Sequence, residues 1–369
     1  MRNFIKKGEM PYQTPTGARF DSGDFAGLAV RARELSAWDG FNARRRASRK
    51  AGRLRGLGCA MFIEPSGGGG IKKDEVAVLF ASDGTIVLHN VAGPSGQGHE
   101  TVFPDMIARW LGVDAERVVL KSGDPDGPVL QGNPAIGSRS GMLQGSAYKV
   151  AADIVIEKAR KLAADALEAH AGDIAFAEGT FTIAGTDRRI AMRDVIDRYN
   201  GDTPHPLDTI AERAVSQAFP SGAHVVEVEI DPQTGAVDVL RYTAVDDAGT
   251  IINQTLADGQ LVGGIVQGAG QVFGEHCEYD PADGQLLTAS FMDYVMPRAH
   301  LIPTIVTANH SVPSPSNPLG AKGVGEAGTT GSLPACMNAV VDALRSVGVS
   351  RFDMPATPSR IWAAINAVR

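Results

Sequence analysis

Residues 317–330 read Asn-Pro-Leu-Gly-Ala-Lys-Gly-Val-Gly-Glu-Ala-Gly-Thr-Thr. Glycines at 320, 323, 325 and 328 strip side chains from the backbone on both sides of one carboxylate, Glu326. Glycine lets a backbone lie close to a ligand or take a positive φ, so this stretch reads as a loop that presents its acid nearly unencumbered. That is the placement a general base needs. A surface turn carrying a solvated acid has a similar composition. What sets this one apart is the company it keeps elsewhere in the chain.

Three more glycine-rich segments accompany it. Gly93-Pro94-Ser95-Gly96-Gln97-Gly98-His99-Glu100-Thr101 stands between an expected strand and an expected helix. Free N–H groups at a helix start suit an anion, and Gln97 adds an amide that both donates and accepts. A plain capping loop closed by Thr101 is the alternative. Gly137-Ser138-Arg139-Ser140-Gly141 precedes the longest helical pattern. Hydroxyls, a guanidinium fork and a helix N-terminus there match phosphate oxygens. Asp258-Gly259-Gln260 leads into Gly263, Gly264, Gln267, Gly268 and Gly270, where close helix packing and close cofactor approach are equally consistent. There is no GxxxxGK[ST] loop, no GxSxG elbow and no GxGxxG in the run 67–70. His89, His99, His224, His276 and His310 are dispersed, without metal-cage spacing. The residues suggest a large polyanionic cofactor held by backbone and amides, facing one exposed acid.

The chain has 369 residues, which predicts two domains or one large one. With 43% apolar and 21% charged residues it has ample core. Its net charge of -7 does not favour nucleic acid or an anionic membrane. Cys59, Cys277 and Cys336 form no CxxC pair and read as small core residues of a reduced compartment. No apolar run reaches the roughly 20 residues of a membrane span, and the N-terminus lacks a signal-peptide pattern, so the expected location is cytoplasmic.

Hydrophobic periodicity predicts an α+β chain. Residues 1–23 are irregular, and a basic helix over 24–53 carries Arg44, Arg45, Arg46, Arg49, Lys50 and Arg53. Its charges read as a solvated face rather than an anion patch. A strand at 56–65 is followed by a hairpin at 75–80 and 85–89, a helix at 103–111 stopped by Gly112, and a strand at 117–121. The longest helix spans 141–170, with an apolar stripe through Ala147, Val150, Ala151, Ile154, Ala159, Leu162 and Leu167. A hairpin at 174–176 and 180–183 and a loop over 199–220 follow. The pattern then restarts: a hairpin at 223–230 and 236–243, a helix at 256–275, strands at 286–291 and 305–308, and helices at 333–347 and 359–369. The restart suggests a weak internal duplication.

Taken in order, the motifs resemble a known family. Arg2-Asn3-Phe4-Ile5, Pro11-Tyr12 and Asp21-Ser22-Gly23 come first, then Gly96 to Thr101, Gly137 to Ser140 and Asp246-Asp247-Ala248-Gly249 with Asn253. Gly259-Gln260, Gln267-Gly268, Gly320 to Glu326 and Met354-Pro355-Ala356-Thr357-Pro358 complete the set. The chain resembles the molybdenum-binding large subunit of the xanthine dehydrogenase and aldehyde oxidase family, in particular the carbon-monoxide-dehydrogenase-like large chains of bacteria. The resemblance implies molybdopterin-binding domains of mixed sheets and long helices. It implies molybdopterin, as the cytosine dinucleotide, with its molybdenum held through the pterin and not by side chains. Cofactor contacts carry over to Gly96, Gln97, Gly98, His99, Gly137, Ser138, Arg139, Ser140, Gln260, Lys322, Gly323 and Gly325. Glu326 takes the place of the base that deprotonates the attacking hydroxyl when an aldehyde or N-heterocycle is hydroxylated with water as the oxygen source.

Only the second half of the family's large subunit is matched. The expected domains are therefore 1–220, the later part of a first molybdopterin-binding subdomain, and 221–369, a second one carrying the Glu326 loop. The hammerhead domain, the GGGFG stretch and the copper-binding cysteine loop have no counterpart here. After Asn253 the family's usual Pro is Gln254. The resemblance implies either one subunit of a split hydroxylase, completed by a partner chain that supplies the missing half, or a fragment, with [2Fe–2S] and FAD modules on other subunits to remove electrons. A chain lacking half its surroundings is expected to expose an apolar face. A non-catalytic binding or assembly protein of the same fold is the alternative reading.

Overall fold

The computed structural model describes residues 2–67, 71–302 and 304–368. Gly68, Gly69 and Gly70 of the run 67–70, and Arg369 of the last expected helix, lie outside them. In chain order the elements are β1 (Tyr12–Gln13), β2 (Arg19–Phe20), α1 (Phe25–Leu35), α2 (Phe41–Lys50), β3 (Leu54–Ile63), β4 (Lys73–Phe80), β5 (Ile86–Asn90), α3 (His99–Leu111), β6 (Val118–Leu120) and α4 (Ser140–Ala166). Then come β7 (Ile174–Ala177), β8 (Thr180–Ile183), β9 (Arg189–Ala191), α5 (Met192–Asp197), β10 (Thr209–Ala214), β11 (Ser221–Ile230), β12 (Val237–Asp247), α6 (Gln254–Phe273), β13 (Ile305–Asn309), α7 (Ala327–Arg345) and α8 (Pro358–Asn366).

Two compact units result. Unit 1 contains Met1–Pro65, Phe219–Pro313 and Lys322–Arg369; unit 2 contains Ser66–Ala218 and Ser314–Ala321. A single cut at 220 does not separate them, because β3 pairs along its whole length with β11. Unit 1 holds a sheet in the order β13-β12-β11-β3, and unit 2 one in the order β10-β4-β5-β6.

The two sheets repeat one plan. In each, an antiparallel hairpin (β4–β5, β11–β12) is followed by a helix (α3, α6), a strand parallel to the hairpin's second strand (β6, β13), and a long helix (α4, α7). The suspected duplication is thus visible in the topology. The strand preceding each hairpin joins the other unit's sheet: β3 lies beside β11, and β10 beside β4.

In unit 1, β11 is central and buried on both faces. Val226, Val228 and Ile230 meet α6, α7 and α8 through Ile265, Ala339, Val340 and Ile361. Ala223 and Val225 meet Leu28 and Ala32 of α1. This is the period-2 alternation of a strand sandwiched between helices. In unit 2, Phe103 of α3 packs against Tyr148 of α4 with ring centroids 5.1 Å apart.

Several expectations are corrected. The basic stretch is two helices, broken where Ala37 turns left-handed (φ 50°). Its arginines are not simply solvated: Arg44, joined by Arg55 of β3, clamps the buried Glu227, at 2.7 and 2.5 Å, Arg53 meets Asp231, and Arg45 pairs with Asp342. Burial alone would raise the Glu227 carboxyl, but these guanidiniums outweigh it and hold it below its usual range. On α4, Val155 is buried while Ile154 faces outward. The stretch 199–220 contains the edge strand β10, hidden by its polar Glu212 and Arg213. Residues 286–291 form no strand; Leu286 makes one isolated bridge with Tyr279. Of the cysteines only Cys336 is buried. Cys59 alternates outward on β3, whose neighbours Gly58 and Ala60 turn inward.

Candidate functional site

In unit 2 the candidate segments form the starts of α3 and α4. Gly96 and Gly98 take φ of 96° and 84°, Gly137 takes 59°, and Ser138, unusually for a residue with a side chain, takes 51°. Gly98 is the N-cap residue of α3, and Thr101 lies inside the helix rather than capping it. Gln97 curls within its own loop: its Oε1 accepts from the Ser95 N–H at 2.5 Å, and its Nε2 donates to the Gly93 carbonyl at 3.4 Å. The loop is therefore pre-shaped, with its glycine backbone outermost.

Two side chains expected to touch the cofactor turn inward. His99 is buried against Phe103 and contacts the Ala92 carbonyl through Nδ1 at 3.2 Å. Burial lowers its pKa, so the ring is held neutral. Arg139, the N-cap residue of α4, is buried with Asp74 of β4; its Nη2 lies 3.2 and 3.1 Å from the two carboxylate oxygens. Asp74 Oδ1 also accepts from the backbone and side-chain nitrogens of Asn133, at 2.9 and 3.2 Å. One nitrogen of the guanidinium is thus held by an internal carboxylate. It braces residues 137–140 from behind and leaves Gly137, Ser138 and Ser140, all partly exposed, at the surface. One and a half turns into α4, the buried Gln144 accepts from Asn90 at 3.0 Å and ties the helix to the end of β5, where the Gly96 loop departs.

In unit 1 the site lies at α6 and the start of α7. The glycines of α6 divide by face. Gly264 and Gly268 lie against Gly328, Thr329 and Ser332 of α7, whereas Gly259 and Gly263 are exposed, and a Cβ on either would meet nothing within 4 Å. A Cβ on Gly328 would run into the backbone of Leu261, the neighbour of Gln260. That close approach sets the start of α7 beside the turn of α6 bearing the half-buried Gln260. Thr329 locks it, donating to the Gly264 carbonyl at 2.9 Å and to Gln267 at 3.2 Å.

Glu326 is exposed and is the N-cap residue of α7, which begins six residues earlier than the expected 333. Four residues before it, Lys322 is buried, its ammonium 2.7 Å from Asp247. Asp247 also accepts from the N–H groups of Gly249 and Val312, each at 2.9 Å. Lys322 is therefore an anchor for the loop, paired internally as Arg139 is with Asp74. Gly323 is buried and Gly325 exposed. Further along, Gly331 lies against the ring of His224, which spans Tyr242 Oη at 2.8 Å and Asp246 at 3.2 Å. Sequence reasoning quoted Asp246 and Asp247 only as part of a motif; Asp74, Gln144 and His224 had no local signal.

Each unit by itself offers groups suited to an anion. Unit 2 has left-handed backbone, open space over Gly96 and the starts of α3 and α4 without a side-chain cap; unit 1 has open space over Gly263 and the start of α7, likewise without a side-chain cap. Among the described residues no group of three or more His, Cys, Asp or Glu is arranged around a metal position.

Residues 31–303 match the molybdopterin cofactor-binding domain family. The chain belongs to that family. It is 34% identical to the carbon monoxide dehydrogenase large chain of Hydrogenophaga pseudoflava, covering 99% of this chain and 47% of that one. It is 31% identical to the nicotine 6-hydroxylase large subunit of Paenarthrobacter nicotinovorans, covering 100% and 47%. The crystal structure of quinoline 2-oxidoreductase from Pseudomonas putida 86 superimposes with a TM-score of 0.89 at 31% identity, covering 99% of this chain and 48% of that one. The chain thus spans about half the length of the curated relatives it matches. The α+β architecture expected from the sequence is that of the molybdopterin-binding domains, and the relatives are molybdenum-dependent oxidoreductases. No helix among the described residues is long and apolar enough to cross a membrane.

Proposed function

We propose that this chain is the part of a molybdenum hydroxylase large subunit that grips the molybdopterin, as its cytosine dinucleotide, and carries the general base. The observation that carries the reading is the mounting of Glu326. It stands exposed at the N-cap of a long helix, between the buried Lys322–Asp247 pair and the glycine contact of Gly328 with α6. Its rigid support keeps it on line.

The bound molybdenum centre supplies the two-electron oxidation. The chain's own groups do the rest. Backbone N–H groups at Gly96 to His99 and at Gly137 to Ser140, with Gln97, Ser138, Ser140 and Gln260, bind and orient the pterin and its phosphates. Gly323 and Gly325 let the backbone approach. Arg139, His99 and Lys322 hold these loops in shape from the protein side. Glu326 takes the proton from the attacking hydroxyl at a carboxylate oxygen. In this reading each of the two units carries part of the cofactor grip. A partner polypeptide supplies the missing half of the large subunit, and separate subunits with [2Fe–2S] clusters and FAD remove the electrons. The substrate is an aldehyde or N-heterocycle; the names nicotine 6-hydroxylase and quinoline 2-oxidoreductase among the relatives favour the heterocycle.

The test is Glu326→Gln in the completed enzyme. Molybdenum content should match the unaltered protein, while single-turnover reduction by substrate slows by about 10²–10⁴. A fully loaded variant reduced at the unaltered rate would place the base elsewhere.

A further inference from the structure

Asp246 and Asp247 are consecutive on β12, so their side chains leave the sheet on opposite faces. Asp247 meets Lys322, four residues before Glu326. Asp246 meets His224 on the other face, and the ring of His224 lies against Gly331, five residues after Glu326. Two adjacent carboxylates thus hold the chain on both sides of Glu326.

The register of β11 on β12 builds the second hold. His224 stands opposite Ala244, with Tyr242 and Asp246 as the diagonal neighbours on the same face. A ring in that place reaches both: Nδ1 lies 2.8 Å from the Tyr242 hydroxyl, and Nε2 lies 3.2 Å from each oxygen of Asp246. The space is tailored to it. A Cβ on Gly222, opposite Asp246, would run into the Asp246 carboxylate. Phe62 stands edge-on to the ring, with centroids 5.5 Å apart. His224, Tyr242 and Asp246 are all buried. On the helix side the ring meets bare backbone, since a Cβ on Gly331 would run into Nδ1, Cε1 and Cγ. An apolar side chain could fill the same gap without the desolvation cost of three buried polar groups. What the polar set adds is a flat ring held at both nitrogens, and so fixed in angle, against the second turn of α7.

We propose that His224 is a positioning residue for Glu326: pinned by Asp246 and Tyr242, its ring sets how the first turns of α7 sit on the sheet, and hence where the carboxylate at the N-cap stands. The inference rests on the proposed function and deepens it by naming what aims the base. Moving a reacting group by about 1 Å costs about 10²-fold in rate, so a small displacement of this helix start is enough to matter.

The experiment has two arms, amide hydrogen exchange of the ligand-free chain and single-turnover reduction by substrate in the completed enzyme. His224→Asn withdraws the ring. Exchange over Ala327–Ser332 should quicken at least about tenfold, with the rest of unit 1 changed by less than about twofold. The limiting rate of reduction should fall about 10–10²-fold, while molybdenum content and the substrate dissociation constant stay within about twofold. Tyr242→Phe, which removes one hydroxyl, should shift both readouts in the same direction by less. Gly331→Ala presses on the ring from the helix side and should also shift both; adding His224→Asn to it makes room for the methyl and should restore at least about half of the lost protection and rate. Ile361→Ala, in the core of unit 1 on α8, should lower the melting temperature without a local change at Ala327–Ser332 and without slowing reduction. Unaltered local exchange and rate in both His224→Asn and Tyr242→Phe, with Glu326→Gln still slow, overturn the positioning role and leave the base assignment standing. So does an Ile361→Ala chain that reproduces both changes, because the effect would then be one of stability alone. A Glu326→Gln enzyme reduced at the unaltered rate overturns the base assignment and this role with it.

Discussion

Arg139 offers a direct test of which side of the protein it serves. If its guanidinium held a ligand, removing it would cost cofactor retention and leave the ligand-free chain untouched. In the structure it is buried together with Asp74, both side chains at 1% exposure or less, with two N–H to carboxylate contacts near 3.1 Å. Removing one partner of a buried ion pair leaves the other desolvated and uncompensated, at a cost of about 3–5 kcal/mol. For a unit of this size that lowers the melting temperature by roughly 6–20 °C. The substitution is Arg139→Met, which keeps the length and removes the charge. The assay is urea unfolding of the ligand-free chain, in which the unit 2 transition should move to lower urea at constant m. Asp74→Asn should cost a similar amount while keeping an acceptor for Asn133. The double variant should cost clearly less than the sum, by about 1–3 kcal/mol, because neither charge is then stranded. An Arg139→Met chain within about 0.5 kcal/mol of the unaltered one, combined with lost cofactor, would refute the internal-strut reading and restore the ligand contact.

Two further outcomes follow from the same structure. Gly328→Ala places a methyl against the α6 backbone and should destabilise unit 1 by about 1–3 kcal/mol, whereas Gly263→Ala, with open space around it, should be neutral or stabilising by up to about 1 kcal/mol; equal melting temperatures would contradict the assigned faces of α6. The pH response should also come in two stages. His89 and His99 in unit 2 have pKa values lowered by burial, so the unfolded chain takes up their protons first and stability falls as pH drops below about 6.5. Glu227 in unit 1 sits below its usual value of 4.5, so its contribution is present above that pH and is lost on further acidification. Melting temperature followed from pH 7 to 3 checks both, and a curve that His99→Gln leaves unchanged near pH 6 would remove His99 from the account.

Where the sequence was informative, the signal was local. The turns at Ser82-Asp83-Gly84 and at Asp231 to Gly235, the glycine stop at Gly112 and the proline at the start of α8 all lie within a few residues of the feature they specify. The glycine-rich segments were legible as special backbone, and Gly96, Gly98 and Gly137 do turn left-handed. The direction in which a charged side chain points was not legible. Arg139 and Lys322 look outward-facing in a glycine-rich context, yet their partners Asp74 and Asp247 lie 65 and 75 residues away. Pairing over such distances is decided by the topology of the sheets. The start of α7 was missed for a related reason: Gly328 and Gly331 argue against a helix on propensity, and only the closeness of α6 and of His224 accounts for them.

The duplicated plan sharpens what is special about Glu326. Both repeats begin their long helix with a charged residue as N-cap, Arg139 for α4 and Glu326 for α7, and neither side chain caps its own helix. A cation at a helix N-terminus opposes the dipole and is tolerated there when an acid neutralises it, as Asp74 does. An anion at the same position is favoured by the dipole, and Glu326 stands exposed there. In the second repeat the buried countercharged pair has moved to Lys322 and Asp247, one turn before the helix, where it anchors the loop without occupying the N-cap. The same backbone position thus serves as an internal brace in one repeat and presents an exposed carboxylate in the other.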